Sequence, residues 1–223
     1  MMVQGRKEPE LSIKRLPAYL RVLDNLIEKG IELVNSERLS KETGITAELI
    51  RKDLSYFGAF GARGRGYYTD TLRNCILKVS GLDTITNVIV VGAGHLGIAL
   101  TRYTVTKNQY VKVVAAFDVD PAMIGKKIID VEIMHTSEMK EIVSRHAVDV
   151  AILTVPSEQA QIAFDNIVRS GVKIISNFVP VKLIVPEGVY VHNTDLSIDL
   201  QSLKYRVLKT IEMHGRIDNG VSK

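Results

Sequence analysis

The chain has 223 residues, 46% hydrophobic and 24% charged, with a net charge of +4 and one cysteine. That is an ordinary globular composition, enough for one large domain or two small ones. It excludes an internal disulfide, and neither an apolar run of about 18 residues nor a secretory core in the opening MMVQGRKEPELSIKRLP is present, so the expected location is cytoplasmic. The charge is unevenly placed: residues 1–80 hold 14 Lys/Arg against 10 Asp/Glu, while residues 81–223 hold 15 of each, and a basic N-terminal third suits a phosphate-backbone partner.

The first predicted element is a helix over 11–30. Leu16, Leu20, Leu23 and Ile27 form one stripe, Pro17 is read into the first turn, where its missing N–H costs little, and Gly30 is a natural stop. A short helix follows over 36–43 with Ser36 as candidate N-cap, then a turn at Gly44-Ile45 and a third helix over 46–57 capped by Thr46. Two short helices joined by a glycine-containing turn make a helix-turn-helix pattern. The third helix is two-faced. Ala47, Ile50, Leu54 and Phe57 form its buried stripe, and Arg51, Lys52, Ser55 and Tyr56 point elsewhere. Guanidinium, ammonium and hydroxyl groups on such a face suit guanine edges and phosphate oxygens in a major groove. The stretch GAFGARGRGYY (58–68) supplies four glycines with Arg63 and Arg65. It reads as the β-hairpin wing of a winged helix, its arginines able to grip phosphate or enter a minor groove; a solvated loop is the plainer alternative. A helix over 67–82 bridges onward and carries Cys75, expected as a buried structural thiol, and Gly81 to Asn87 mark a boundary.

From 87 onward strands alternate with helices: strands at 88–91, 111–117, 149–155, 173–177 and 189–192, helices at 95–107, 136–146 and 157–170. Alternation of this kind predicts an α/β fold with a doubly wound parallel sheet. After the strand ending at Val91 comes Gly92-Ala93-Gly94-His95-Leu96-Gly97, a G-x-G-x-x-G turn in its strand-to-helix context. Gly92 permits the tight turn, Gly94 a close approach to a pyrophosphate, and Gly97 the packing of helix on strand; the helix N-terminus offers N–H groups to the phosphates. Asp118, 21 residues past Gly97 at the end of the second strand, suits the ribose hydroxyls, and no arginine in FDVDP would accept a 2′-phosphate, which favours NAD(H) over NADP(H). Asp120 competes for that role. Two more strand ends lie on the ligand edge expected of an open α/β sheet: Thr154, Val155 and Pro156 in LTVPS, and Asn177 and Phe178 in NFVP. At each, a simple strand-to-loop stop is the alternative.

The five histidines (95, 135, 146, 192, 214) form no catalytic or metal-ligand spacing, so neither a catalytic set nor a metal is expected. After Asn177 the chain reads as one more strand and a helix over 195–213. Its stripe of Leu196, Leu200, Leu203, Val207 and Ile211 must be buried on its own domain or on a second subunit. A helix-turn-helix usually reads two half-sites as a symmetric dimer, which favours the second. Two other readings remain at this level: a small NAD-dependent oxidoreductase with an N-terminal assembly domain, and a CoA- or nucleotide-binding module of a larger complex.

KRLPAYLRVL (14–23), IRKDLSYFGAFGARGRGY (50–67), GAGHLG (92–97), AFD (116–118), AILTVPS (151–157), NFVP (177–180) and DLSIDLQSLKY (195–205) together resemble the Rex redox-sensing transcriptional repressors over about residues 12–212. One departure, Asp199 where the family pattern has Glu, is conservative. The resemblance implies a winged-helix DNA-binding domain (1–80), a Rossmann-like NAD(H)-binding domain (81–194), and a C-terminal helix and tail (195–223) exchanged within a homodimer. It implies repression at pseudo-palindromic double-stranded operators, with release as NADH rises. It also implies a switch of Arg15, Tyr103 and Asp195, the aspartate pairing with the arginine in the DNA-competent state and with the tyrosine when NADH is bound. Leu196, the next residue, would approach the partner's nicotinamide pocket.

Overall fold

Leucine recurs through residues 10–28 and favours helix; these residues form α1 (Glu10–Glu28) in the computed structural model, which describes residues 10–58, 61–62 and 66–218. The chain divides into two compact units, Met1–Ile85 and Thr86–Lys223.

In the first unit α1 is followed by β1 (Leu33–Val34), α2 (Ser36–Thr43), α3 (Ala47–Phe57), β2 (Gly61–Ala62), β3 (Gly66–Tyr68) and α4 (Thr69–Ser80). The strands form an antiparallel sheet in the order β1-β3-β2 beside the helix-turn-helix, which makes this a winged helix. Its core is Leu16, Tyr19, Leu20, Leu23 and Leu26 of α1 with Leu39, Ile50, Leu54, Leu72 and Ile76.

Several expectations shift here. Because α1 begins at Glu10, Pro17 lies inside the helix and not in its first turn. Leu26 takes the buried place expected for Ile27, which is only half-buried. The cap of α2 is Asn35, whose side chain accepts the Arg38 N–H at 2.9 Å. Ser36 is instead the first helical residue, and its hydroxyl serves Arg51. Ala47 and Phe57 are half-buried, so the inner face of α3 rests on Ile50 and Leu54 with an unexpected third member, Asp53. Tyr67 and Tyr68 belong to β3, and α4 starts at Thr69, two residues later than the pattern predicts. Cys75 is half-buried, a correction to the fully buried thiol.

The second unit is a seven-stranded sheet ordered β10-β9-β8-β4-β5-β7-β6. Its strands are β4 (Thr86–Val91), β5 (Val111–Asp118), β6 (Lys127–Ile128), β7 (Val131–His135), β8 (Val150–Leu153), β9 (Ile174–Asn177) and β10 (Tyr190–Asn193). All pairings are parallel except β6 with β7, a hairpin that the sequence pattern does not announce. Asp149, Thr154, Val155 and Lys173, expected within strands, lie just outside them. The helices are α5 (His95–Lys107), α6 (Met139–His146), α7 (Ala160–Ser170) and α8 (Leu196–Asp218), with single 3₁₀ turns leading into α6 and α7. One face of the sheet packs Ile89, Val91, Ala115 and Phe117 with Ile142 of α6 and Phe164 of α7. The other packs Val90, Val113 and Ala116 with Ile98 of α5. Strand order reverses between β4 and β8, so their carboxyl ends flank the crevice where ligands of open α/β sheets bind. Every described side chain of α8 from Ser197 to Ile211 is exposed.

Candidate nucleotide site and nucleic-acid interface

Gly92 turns the chain out of β4 with φ +100°, and a Cβ there would lie 2.7 Å from the Thr154 carbonyl. Its N–H donates to the Phe117 carbonyl at 2.8 Å. At Gly97 a Cβ would fall 1.9 Å from the Gly92 carbonyl oxygen, so α5 can pack on the turn only with hydrogen at this position. Gly94 is different: nothing lies within 4 Å of its absent side chain. It is the N-cap of α5 and supplies no side-chain cap, leaving the first amides of the helix to an incoming anion. His95 and Leu96 flank this opening and are exposed, whereas Val91 and Ala93 are buried behind it.

Asp118 ends β5 beside the turn. Its Oδ2 accepts the Ala93 N–H at 2.6 Å, and its Oδ1 accepts those of Val119 and Asp120 at 2.7 and 3.0 Å. The carboxylate therefore fixes the glycine turn, and being half-buried it keeps lone pairs for further donors. Asp120 accepts the Ala122 N–H at 2.9 Å, and Asp118 is the one of the two that bonds the glycine turn.

Across the crevice the Thr154 hydroxyl donates to the Gly92 carbonyl at 2.8 Å and latches the β8 loop to the turn. Val155 and Phe178 are half-buried and Pro156 is exposed beside them. Asn177 is buried with its amide spent within the protein: Oδ1 accepts from the Val179 N–H, and Nδ2 donates to the Val179 carbonyl and to Asn193 Oδ1. Its side chain thereby shapes this edge. In the same unit Tyr103 stands exposed on α5, and Asp195 caps α8 by accepting the Ser197 and Ile198 N–H groups at 2.9 and 3.1 Å. The Leu196 side chain lies outside those described.

In the first unit α3 presents Arg51, Lys52 and Ser55 outward, with Tyr56 half-buried. Arg51 Nη1 donates to Ser36 Oγ at 2.7 Å and to Glu37 Oε1 at 2.9 Å, so α2 orients it. A backbone hydrogen bond and then Arg51 hold the Glu37 carboxyl below its ordinary range. The Ser55 hydroxyl donates to the Lys52 carbonyl at 2.7 Å. Arg63 and Arg65 lie outside the described residues.

The feature that sequence reasoning missed is on the inner side of α3. Asp53 is fully buried and accepts Arg15 Nε, Arg15 Nη2 and the Tyr19 hydroxyl, each at 2.6 Å. Burial alone would raise its pKa, but the bonds from Arg15, Tyr19 and Ser12 outweigh it and hold the carboxyl low. Burial first, then Asp53, pushes the Tyr19 phenol up. The helical spacing was a usable signal: Asp53 stands three residues after Ile50 and one before Leu54, on the buried stripe.

Among the described residues no group of three or more His, Cys, Asp or Glu side chains could hold a metal ion. No described helix is long and apolar enough to cross a membrane.

Residues 83–181 match the CoA binding domain family and residues 7–55 match a DNA-binding protein N-terminus family. The redox-sensing transcriptional repressor Rex of Natranaerobius thermophilus is 53% identical over 204 residues, 92% of this chain and 93% of its own. The same-named protein of Listeria welshimeri is 44% identical over 205 residues, 92% and 95% of the two chains. Among solved structures, RSP in complex with β-NAD+ and operator DNA superposes with a TM-score of 0.82 at 36% identity, covering 98% of this chain and all of that one. RSP in complex with β-NADH gives 0.78 at 36% identity, over 96% and 100% of the chains.

Proposed function

The chain belongs to the Rex family of redox-sensing transcriptional repressors, and from that premise we propose that it holds operator DNA as a homodimer and lets go when NADH occupies the glycine corner. It is a DNA-binding repressor that responds to the NADH/NAD+ ratio and not an enzyme; the oxidoreductase reading is not favoured, because its relatives throughout the chain are repressors. The observation that carries the reading is the pairing of a winged helix with a glycine corner closed by Asp118.

The α5 amides at Gly94–Gly97 take the pyrophosphate and Asp118 takes the adenosine ribose, with Val91, Thr154, Val155, Pro156 and Phe178 as walls. A carboxylate at that ribose repels the 2′-phosphate of NADP(H), and equally the 3′-phosphate of CoA. Arg51, Lys52, Ser55 and Tyr56 face the major groove, while Arg63 and Arg65 serve the wing. A two-fold dimer matches two half-sites, and the exposed stripe of α8, Leu200, Leu203, Val207 and Ile211, supports a helix that is buried by exchange with a second subunit. The protein works in the cytoplasm, where its operator is.

NADH and NAD+ differ by a hydride and a ring charge, and a ligand shifts an equilibrium only by its differential affinity for the two states. We assign that difference to Arg15, Tyr103 and Asp195. One exchanged charged hydrogen bond, about 1.5–3 kcal/mol, suffices for the roughly 1.4 kcal/mol that changes operator affinity tenfold. Operator titration by fluorescence anisotropy, with NADH and NAD+ added separately, tests the whole reading. NADH should weaken binding and NAD+ should not; indifference to saturating NADH would overturn it.

A further inference from the structure

Asp53 and Tyr19 have no part in the function as described above, although their partner Arg15 does. The Asp53 charge sits on the inner side of the helix whose outer side carries Arg51, Lys52 and Ser55. Stability does not explain it: an ion pair taken out of water is often no better than a well-packed apolar pair, and retained ones can serve registry or switching.

Two geometric details separate this cluster from a mere helix staple. Arg15 meets Asp53 edge-on through Nε and Nη2, each at 2.6 Å, with a longer bond from Nη2 to Ser12 Oγ at 3.4 Å. The remaining N–H groups of the planar fork, those of Nη1, lie on its opposite edge. The two ends of the pair also differ in exposure: the Arg15 side chain keeps 24% of its surface and Asp53 1%. The guanidinium is thus fixed to Asp53 through its inner edge, and its side chain reaches the surface where Asp53 does not. Because the fork is planar and rigid, its two inner bonds to Asp53 must move together.

We propose that Asp53 is the positioning residue through which the state of Arg15 reaches the DNA-reading helix: the inner edge of Arg15 is anchored to α3 by Asp53, and the outer edge takes a second carboxylate whose arrival or departure moves α3. Tyr19, bonded to the same Oδ2 as Arg15 Nε, keeps Asp53 from turning with the arginine. The inference rests on the NADH-responsive DNA binding proposed above.

The test uses the full-length protein and reads the ratio of operator Kd with saturating NADH to that without, alongside NADH affinity from its fluorescence. Couplings of this kind span about 5- to 150-fold. Asp53→Asn should pull the ratio below about twofold while leaving NADH affinity unchanged. Leu54→Ala, a neighbouring core truncation on the same helix, should lower the melting temperature and keep the ratio. Tyr19→Phe leaves the Arg15–Asp53 pair intact, folds in any case where Asp53→Asn does not, and should reduce the ratio by about threefold. A wild-type ratio in Asp53→Asn, an equal collapse in Leu54→Ala, or an unchanged ratio in Tyr19→Phe overturns the inference alone. A wild-type protein indifferent to NADH overturns it together with the reading it rests on.

Discussion

Each unit of this protein builds one of its candidate working elements around an aspartate, and the two are held in opposite ways. Asp53 is fully buried and met by a guanidinium and a phenol; its lone pairs are spent on the protein. Asp118 is half-buried and met only by backbone N–H groups, which leaves it able to accept more. A carboxylate saturated by side chains ties elements together, and one cradled by main-chain amides keeps lone pairs to offer. The surrounding backbone follows the same division. The glycine corner depends on Gly92 and Gly97, which admit no side chain, and the outer face of α3 on the side chains it presents.

That division is broken most severely at Gly97. With a Cβ 1.9 Å from the Gly92 carbonyl and 2.9 Å from Thr154 Oγ1, Gly97→Ala has no side-chain route to relief. The backbone must move, at or beyond the upper end of the roughly 1–3 kcal/mol that overpacking usually costs. NADH fluorescence titration should show no binding, and the melting of the second unit should fall or vanish while that of the first is kept. Gly94→Ala is the matched contrast: nothing lies within 4 Å, so it should melt like wild type and still bind NADH more weakly, because its methyl group stands where the pyrophosphate approaches. A Gly94→Ala protein that binds NADH normally would detach the pyrophosphate from this amide cradle.

Next in size is Asp53→Ala. It leaves Arg15 partly buried without its acceptor, a loss of about 3–5 kcal/mol, read as a fall in the melting of the first unit alone. The pH profile gives an independent check. Asp53 is held below its ordinary value, so its contribution is present above about pH 4 and is lost as pH falls further. Tyr19 is raised, so its contribution is present below about pH 10 and is lost as pH rises through the shifted value. Thermal melts across pH should show both limbs in the wild type, whereas Asp53→Ala should lose the acid limb and keep much of the alkaline one, because burial is the larger cause of the Tyr19 shift.

The same two aspartates show what could be read from the chain alone. Asp118 was legible because strand, glycine spacing and acidic residue are local: the motif, the Phe117 carbonyl that receives Gly92 and the carboxylate all fall within 92–118. Asp53 is only half legible: the spacing from Ile50 and Leu54 puts it on the buried stripe, but its partners lie 34 and 38 residues away and nothing local in RKDLSYF announces them. The cap of α2 was missed by one residue because Asn35 and Ser36 are both good caps, and only the tertiary demand of Arg51 on the Ser36 hydroxyl separates them. The β6–β7 hairpin escaped because two- and five-residue strands carry too little alternation to stand out from a loop.

Smaller effects sharpen the comparison. Asp118→Asn keeps the size of the side chain but gives up charged hydrogen bonds of about 1.5–3 kcal/mol, a loss of roughly ten- to a hundredfold in NADH affinity, and it should narrow the preference for NADH over NADPH. Operator affinity without NADH should not change. If it does, the two aspartates are not independent and the second unit contributes to DNA binding even when empty.

The smallest effect is expected at Lys52. It is exposed, and among the described residues no neighbour orients it as Ser36 and Glu37 orient Arg51, so the two residues should differ in kind and not only in degree. Arg51→Ala removes a pre-positioned fork suited to a base edge, at about 1–3 kcal/mol, with a relaxed preference at one operator position. Lys52→Ala removes a mobile point charge suited to a phosphate. It should weaken specific and non-specific DNA alike and lower the slope of log Kd against log salt by about one. Anisotropy titrations at several salt concentrations, on operator and on scrambled duplex, separate the two. Equal salt slopes in wild type and Lys52→Ala would mean that Lys52 does not touch a phosphate and that the outward face of α3 is turned differently on the groove.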